Sequence, residues 1–468
     1  MSSSAGPVIV LEFNELTPSL MDRFIEAGRL PHFKQIRDES RVFVTEARET
    51  APTLEPWIQW VTVHNGQPYR DHRVFHLDEG HKADAPRVWD VLAEHGLRSW
   101  VCGSMNASVK DRSRTLLLTD PWTSEVASDP ALDAYVSFVR YQVLEHTNAD
   151  ARPGASMAAR FAAFMTTHGL SIESIVDLAR QLAAERRQDC RWRRATLLDR
   201  LQFDLFVHYY RRIRPAFSTF FLNSTAHYQH AYWASMDPAS FGERVEDPET
   251  RQHGAAILYG YTQMDRLLGR LMKLCPDATL VLCTALSQQP GRSYRTDNGG
   301  AFYRPKDISQ LAELVGLAGP FQVAPVMSEQ FHLEFGDEAA AVEAERALSK
   351  MRLDGAPVIG VERNGRRVFA GCNRFTEIPE RASIDIEGRA VPFFDLFYRM
   401  PTAKSGIHHP DGMFWVRMAD RVHADGGRVP LTAVAPTLLS LFDVAPPATM
   451  RSEPVRLTLD DHHMRKTA

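Results

Sequence analysis

The hydrophobic pattern of the chain alternates between short apolar runs and longer segments in which apolar residues recur every three or four positions. A short run rich in Val, Ile and Phe predicts a buried strand, and the longer period predicts a helix with one face on a core. This alternation is typical of an α/β fold with a mostly parallel sheet. The predicted strands are Pro7–Phe13, Arg41–Glu46, Ser99–Gly103, Ala216–Leu222 and Thr279–Cys283. The predicted helices are Thr17–Gly28, Leu30–Ser40, Val88–Gly96, Gly254–Cys275 and Leu431–Val444.

Two segments interrupt the alternation and predict insertions. Residues 111–215 show helical spacing from about Ala155 to Ile213 and predict a helical insertion that caps the sheet. Residues 296–400 predict a small αβ insertion with a hairpin at Asn364-Gly365. The core α/β domain then consists of residues 1–110, 216–295 and 401–468. The arginines of the helical insertion predict a solvated face, with an anion-binding lid as the alternative; they are Arg186, Arg187, Arg191, Arg193 and Arg194.

Composition narrows the class of protein. The 468 residues carry a formal net charge of -4 with both signs interspersed, which gives no indication of a nucleic acid or a membrane surface as partner. The first residues lack a basic region followed by a long apolar one, and no apolar run is long enough to span a bilayer. The five cysteines form no CxxC pair, which predicts neither disulfides nor a thiolate zinc site. We therefore expect a cytoplasmic protein with free thiols.

The stretch TAPTLEPWIQWVTVHNG, from Thr50 to Gly66, contains the first candidate for chemistry. Pro56 suits the first turn of a helix, so Thr53 is expected just before a helix whose free N–H groups favour an anion. A hydroxyl at that place is a candidate nucleophile. The alternative is that Thr53 only caps the helix.

Several stretches occur in the order known from one family. They are PVIVLEFNELTPSLMDRFIEAGRLPHFKQI, APTLEPWIQWVTVHNG, PRVWDVLAEHGLRSWVCG, STAHYQHAYW, YTQMDRLLGRL, GIHHPDG and VAPTLLSLFDV. In these the chain resembles the alkaline phosphatase superfamily, most closely its type I phosphodiesterase/nucleotide pyrophosphatase branch. The resemblance implies a three-layer α/β/α sandwich with a mostly parallel central sheet, carrying the helical and the small αβ insertion.

The resemblance also implies a site, because the family uses two divalent metals to activate a Thr or Ser nucleophile. The nucleophile maps onto Thr53, and two of the family's metal-binding histidines map onto His230 and His408. The positions of the acidic ligands hold neutral residues instead, and one further histidine is lost; these positions are Asn14, Ala226, Thr284 and Ala285. Two imidazoles are too few ligands for zinc, and magnesium requires oxygen ligands. We therefore expect no metal cofactor, with zinc or manganese at a reduced site of His230 and His408 as the alternative.

The remaining groups suit an anionic substrate. We expect a hydrolase or transferase that acts on a phosphate or related ester, either a small molecule or one linked to a glycan or lipid. Thr53 would be the nucleophile, His230 and His408 the acid, base and anion binders, and Asn14 a supporting donor. Further substrate contacts are assigned to His227, His409, Glu55 and Thr284. A protein that binds an anionic ligand without catalysis is the alternative.

Two acidic residues lie near these positions in the sequence. Glu15 or Glu55 could orient a histidine, but both are expected to be capping or surface residues. The segment Ser287–Pro290 is expected to be a plain turn rather than a binding loop.

Overall fold

The computed structural model describes residues 6–144, 152–242, 248–291, 301–317, 319–324, 330–400 and 405–457. The chain divides into two compact units. The first contains residues 1–139, 155–290 and 406–468, and the second contains residues 140–154 and 291–405. None of the described helices is long and apolar enough to cross a membrane.

An eight-stranded sheet forms the centre of the first unit. Its spatial order is β20-β2-β19-β6-β1-β5-β3-β4, and β19 alone runs antiparallel to its neighbours. The fold is therefore α/β with a mostly parallel sheet, as predicted. In chain order the strands are β1 Val8–Phe13, β2 Arg41–Glu46, β3 Ser99–Cys102, β4 Thr115–Leu118, β5 Phe217–Leu222, β6 Thr279–Cys283, β19 Asp411–Arg417 and β20 Ala424–Pro430. A separate two-stranded ladder pairs β7 Ser287–Pro290 with β18 Gly406–His409.

The helices of the described chain, up to the second unit, are α1 Pro18–Glu26, α2 Pro31–Asp38, α3 Pro56–Asn65, α4 Tyr69–His72, α5 Val88–Glu94, α6 Asp133–Leu144, α7 Ala155–Thr167, α8 Ile172–Glu185, α9 Arg194–Ile213, α10 Ser224–Met236, α11 Pro248–His253 and α12 Ala256–Leu274. Successive side chains of a strand point to opposite faces, so β1 shows which helices lie on each side. Glu12 bonds His64 of α3, whereas the ring of Phe13 packs on Phe33 of α2. Helices therefore cover both faces, and the predicted three-layer sandwich is confirmed.

The second unit is a small αβ structure with its own core. Its elements are β8 Tyr303–Pro305, α13 Ile308–Leu314, β9 Phe321–Ala324, β10 Phe331–Phe335, α14 Glu338–Leu348, β11 Arg352–Leu353, β12 Ala356–Pro357, β13 Ile359–Asn364, β14 Arg367–Cys372, β15 Ser383–Ile386, β16 Arg389–Pro392, α15 Phe393–Leu396 and β17 Phe397–Arg399. The predicted hairpin is present between β13 and β14, but its turn is Gly365-Arg366, one residue later than the predicted Asn364-Gly365. Asn364 is the last residue of β13 and pairs with Arg367, and Gly365 has φ 56°. Residues 325–329 of the predicted αβ insertion lie outside the described residues. The last helix of the chain, α16 Val434–Ser440, returns to the first unit.

Three local expectations differ from the structure. The segment Thr115–Leu118, expected in the helical insertion, is strand β4 of the central sheet, where it pairs with β3. It was overlooked because four residues give a weak periodic signal. Helix α9, expected to belong to a cap, packs directly on β3 and β5 and so forms part of a layer of the sandwich. Finally, Ser287–Pro290 is not a plain turn but a strand paired with Gly406–His409.

Candidate active site

The candidate site begins where β1 ends. Parallel strands β5, β1 and β6 lie side by side, and ligands of open α/β sheets bind beyond the carboxyl ends of such strands. The chain leaves β1 through Asn14 and Glu15. Glu15 has φ 59°, a left-handed conformation that is uncommon for a residue with a side chain and is often found at functional sites.

Glu15 is the central residue of the site. Its side chain is 1% exposed, so the expectation that it is a capping or surface residue is wrong. Oε2 lies 3.1 Å from His230 Nε2 and 3.5 Å from His408 Nε2. The backbone carbonyl of Glu15 accepts a hydrogen bond from Gln229 Nε2 at 2.7 Å. A carboxylate directly after a buried strand was the signal in the sequence, but nothing in the sequence indicated that it turns inward.

Asn14 holds this carboxylate in place. Its Nδ2 donates to Glu15 Oε1 at 2.7 Å and to Asn223 Oδ1 at 2.8 Å, while its Oδ1 accepts from Trp60 Nε1 at 2.7 Å. Asn14 is fully buried, and the two donor hydrogens of its amide are both used. These contacts fix the position of the Glu15 side chain, a role that we call a clamp, and they are not those of a donor to an anionic substrate.

Gln288 holds the other oxygen of Glu15. Its Nε2 donates to Glu15 Oε2 at 2.5 Å and to the carbonyl of Ala226 at 3.0 Å. Its backbone is bonded to the hydroxyl of Thr17 in both directions. Gln288 was overlooked because its segment was interpreted as a turn, and the ladder with β18 that positions it depends on residues more than a hundred positions away.

The two histidines reach Glu15 from different elements. His230 lies on α10 and His408 on β18, and their ring centroids are 5.1 Å apart. His230 Nδ1 lies 2.8 Å from the carbonyl oxygen of Gly406, and His408 Nδ1 lies 3.4 Å from Glu55 Oε2. Because a carbonyl only accepts, His230 carries a proton on Nδ1. The Nε2 atoms of both rings lie within 3.5 Å of the same carboxylate oxygen, Glu15 Oε2.

The charge of Glu15 follows from these contacts. Burial on its own raises the pKa of a carboxyl group. The charges of His230 and His408, with hydrogen bonds from His230 and Gln288, outweigh burial and lower the pKa of Glu15 to about 2. Glu15 is therefore ionised at neutral pH although it is buried.

The donor set fits a single divalent metal ion. The Glu15 carboxylate and the two imidazoles place one ligand atom each within 4.8 Å of one another. Two histidines and one carboxylate are a common set for zinc and for non-haem iron. Ligating histidines usually give their other ring N–H to a carbonyl or a carboxylate, and Gly406 and Glu55 occupy these places. The positions of the family's acidic ligands hold neutral residues, and the structure adds the carboxylate of Glu15, next to one of these positions, to the two expected histidines.

The Thr53 loop is connected to this cluster through Glu55, whose Oε2 lies 3.4 Å from His408 Nδ1. The N-cap of α3 is Glu55 rather than Thr53, and its side chain makes no cap hydrogen bond. Thr53 is half-buried, and its hydroxyl donates to the carbonyl of Thr50 at 2.9 Å. Gln59 Nε2 holds the carbonyl of Thr53 at 3.0 Å. Glu55 joins the loop to the cluster, whereas the Thr53 hydroxyl bonds within the loop.

The remaining predicted residues lie around the site in different roles. Thr284 is fully buried; its hydroxyl accepts from the N–H of Met413 at 2.8 Å, and its carbonyl accepts from the N–H of Glu15. It therefore supports the backbone of Glu15. His409 Nδ1 accepts from the N–H of Asp411 at 3.2 Å. His227 packs its ring 5.9 Å from that of Tyr228. Neither histidine belongs to the metal-binding set of Glu15, His230 and His408.

Comparison with known proteins finds similar solved structures, all at low sequence identity. No protein-family model and no curated protein matches the chain. Among solved structures, human ectonucleotide pyrophosphatase/phosphodiesterase 5 is similar with a TM-score of 0.41 and 10% identity, over 94% of this chain and 96% of that chain. Phosphonoacetate hydrolase from Sinorhizobium meliloti 1021, in complex with phosphonoformate, has a TM-score of 0.37 and 14% identity over 88% and 90%. The inactive murine ectonucleotide pyrophosphatase/phosphodiesterase 5 with AMP has a TM-score of 0.39 and 10% identity over 95% and 96%. With similarity this low, the case for a function depends on the residues of the site.

Proposed function

We propose that this protein is a hydrolase or transferase of phosphate or related anionic esters, with one divalent metal ion held by Glu15, His230 and His408. The observation that carries the proposal is the convergence of two histidine Nε2 atoms and one carboxylate oxygen, all within 4.8 Å of one another. The resemblance of the sequence to the alkaline phosphatase superfamily suggests the substrate class. Zinc and manganese are the candidate metals, because both accept nitrogen and oxygen ligands.

Each residue of the site then has a defined role. When bound, the metal would supply a Lewis acid for a phosphoryl oxygen. Asn14 and Gln288 hold the Glu15 carboxylate, while Gly406 and Glu55 orient the two imidazoles. Thr53 is assigned as the nucleophile: its hydroxyl gives its proton to solvent, and its oxygen bonds to phosphorus as the bond between phosphorus and the ester oxygen breaks. The leaving alkoxide takes up a proton from solvent to give the alcohol. Water or an acceptor hydroxyl then attacks phosphorus, the bond to Thr53 breaks, and the hydroxyl of Thr53 is restored. The Thr53 hydroxyl would first have to exchange its bond to the Thr50 carbonyl.

The first experiment measures the metal. Full-length protein is loaded with zinc or manganese, dialysed, and analysed by elemental mass spectrometry. We expect about one equivalent in the wild type and a large loss in Glu15→Gln and His230→Gln, because each removes one of three ligands. His409→Gln is the matched control, since it removes a neighbouring imidazole from the same strand as His408. Wild type without metal, or equal metal in all variants, would disprove the metal site.

The second experiment tests the nucleophile. Turnover is measured on phosphodiesters, phosphomonoesters, phosphonates and sulfate esters. Thr53→Ala should lower the rate by roughly 1,000-fold or more, because the attacking oxygen is lost. Thr50→Ala is the control, since it keeps the backbone carbonyl that Thr53 bonds. Equal rates in the two variants would exclude Thr53 as the nucleophile.

A binding protein without catalysis is the second candidate. The observation in its favour is that the Thr53 hydroxyl bonds Thr50 within its own loop. In that case no ester is turned over, and Thr53→Ala binds an anionic ligand as tightly as the wild type. Titration calorimetry with phosphate and AMP, with and without metal, separates this function from the enzyme.

A further inference from the structure

Helix α3, which follows the Thr53 loop, is buried on nearly every side. All of its residues except Trp57 are buried. A helix that is buried all round belongs to the core and is held by packing in every direction. A polar contact also ties it to strand β1, because His64 Nε2 lies 2.9 Å from Glu12 Oε1 and both side chains are buried. Side chains that α3 directs at the site are therefore held in fixed positions.

The first of these side chains is Trp60, which is fully buried. Its ring stacks on that of His64, with centroids 5.8 Å apart, and meets the ring of Phe221 edge-on at 5.7 Å. Its Nε1 donates to Asn14 Oδ1 at 2.7 Å. An indole has one polar atom, and that atom can only donate a hydrogen bond. Asn14 must therefore turn its oxygen towards Trp60 and its NH₂ group the other way.

The orientation that Trp60 imposes on Asn14 is the one that Glu15 requires. A carboxylate only accepts, so Asn14 can hold it only with Nδ2, which lies 2.7 Å from Glu15 Oε1. Loss of the Trp60 N–H would leave Asn14 Oδ1 buried without this donor, which is unfavourable and would loosen the clamp. Groups that hold a metal ligand in place commonly change metal affinity by about 10–100-fold.

The neighbouring residue of α3, Gln59, holds the Thr53 loop. Its side chain is fully buried, and its Nε2 donates to the carbonyl of Thr53 at 3.0 Å. Its Oε1 is buried and has no hydrogen-bond partner among the residues that the structure describes. A buried amide with an unpaired oxygen costs stability, so its bond to Thr53 indicates a role at the site more than in folding.

We propose that Trp60 and Gln59 are positioning residues: Trp60 fixes Glu15 through Asn14, and Gln59 fixes the Thr53 loop. The assignment rests on the proposed function, because it takes Glu15 as a metal ligand and Thr53 as the nucleophile. The two residues are consecutive on one buried helix, so α3 sets the position of the nucleophile relative to the metal ligand. Trp60 then acts on the affinity for metal, whereas Gln59 acts on the rate once metal is bound.

Titration calorimetry of the full-length protein with zinc tests Trp60. Trp60→Phe removes the N–H and keeps a buried ring, and the Kd for zinc should rise about 10-fold or more. Trp100→Phe is the matched control and should leave the Kd unchanged, because it removes another fully buried indole, which donates to the carbonyl of Phe206 at 3.3 Å. Adding Trp60→Phe to Asn14→Ala should weaken zinc binding no further than Asn14→Ala alone, since Trp60 acts through Asn14.

The outcomes separate this assignment from the proposed function. Circular dichroism checks that each variant is folded, and if Trp60→Phe is not, Asn14→Ala replaces it in the test with the same expected rise in Kd. An unchanged Kd, or independent losses that add up in the double variant, would overturn the role of Trp60. A wild type that binds no zinc would overturn the proposed metal site and this assignment with it.

Turnover at saturating zinc, on the ester that the wild type hydrolyses fastest, tests Gln59. Gln59→Leu should lower kcat roughly 100-fold, because a small displacement of an attacking group has an effect of that size, and should leave the Kd for zinc unchanged. Gln181→Leu is the matched control and should keep both values, because it removes a buried amide that donates to the carbonyl of Cys190 at 2.8 Å. Gln59→Met repeats the test if Gln59→Leu is unfolded.

Two results would overturn the role of Gln59 alone. They are a kcat equal to that of the wild type, and a loss of zinc affinity that accounts for the lower rate. A wild type that binds zinc but turns over no ester would overturn the proposed catalysis by Thr53, and the role of Gln59 with it.

Discussion

Replacing Asn14 by Asp tests whether this residue is a lost metal ligand or a clamp. By its resemblance to the alkaline phosphatase superfamily, the sequence presents Asn14 at a position where that family carries a metal-binding Asp, so Asn14→Asp would be expected to repair the site. The structure leads to the opposite expectation. The Asn14 amide donates to Glu15 Oε1 at 2.7 Å and to Asn223 Oδ1 at 2.8 Å, and a carboxylate has no hydrogen to donate at either place.

The size of the effect follows from these two bonds. The bond to the charged Glu15 is worth about 1.5–3 kcal/mol and the bond to Asn223 about 0.5–1.5 kcal/mol. The variant also places one oxygen atom, at the position of Nδ2, at hydrogen-bond distance from two acceptors, one of them charged, in a fully buried position. We therefore expect Asn14→Asp to lower the free energy of unfolding by about 3–5 kcal/mol at pH 7.

Urea denaturation followed by tryptophan fluorescence measures this change. Asn14→Ala serves as the comparison, because it removes the same two donors without adding a charge, although it also releases Trp60 Nε1. The clamp predicts that Asp is the more destabilising substitution. A variant Asn14→Asp as stable as the wild type, or one that binds a second metal ion, would refute the reasoning.

Three further predictions concern stability. Burial raises the pKa of Asp199 from 3.8 to about 7, so the folded state binds its proton more tightly than the unfolded state. Asp199→Asn should therefore stabilise the protein by about 4 kcal/mol at pH 8, and the gain should grow between pH 4 and 7 in urea titrations at several pH values. Burial, against a smaller opposing effect of Asp71, lowers the pKa of His72 from 6.5 to about 4. The contribution of neutral His72 to the free energy of unfolding is therefore complete above pH 6.5 and falls by up to about 3 kcal/mol as the pH drops to 4. The difference in free energy of unfolding between wild type and His72→Gln should change by the same amount over this pH range, and not stay constant. A Cβ atom at Gly80 would lie 1.8 Å from the backbone oxygen of Asn106, so Gly80→Ala should lower the free energy of unfolding by about 2–4 kcal/mol in thermal unfolding, whereas Gly336→Ala, with no atom within 4 Å, should leave it unchanged.

Local patterns in the sequence were sufficient for most of the architecture. Strands β2 and β6 were predicted at the residues where they occur, because short runs such as TLVLC are apolar on both faces and favour a buried parallel strand. The hairpin near Asn364-Gly365 was predicted to within one residue, because its turn needs a residue that adopts a positive φ, which Gly365 supplies. Strand β4 was not predicted, because it is four residues long and pairs along one edge only.

The sequence by itself determined the α/β class and most of the order of the core elements, and through its family resemblance it offered His230 and His408 as candidate site residues. Only the tertiary structure decided that Glu15 is the third. Its inward turn depends on a left-handed φ, on Asn14 beside it, and on Gln229 and Gln288 from distant segments. Most of these contacts join residues far apart in the chain, so they leave no periodic pattern in the sequence. For the same reason the sequence shows that α8 is amphipathic, but only its polar contacts with Arg200 of α9 and with the carbonyl of Cys190 show that the apolar side faces outward.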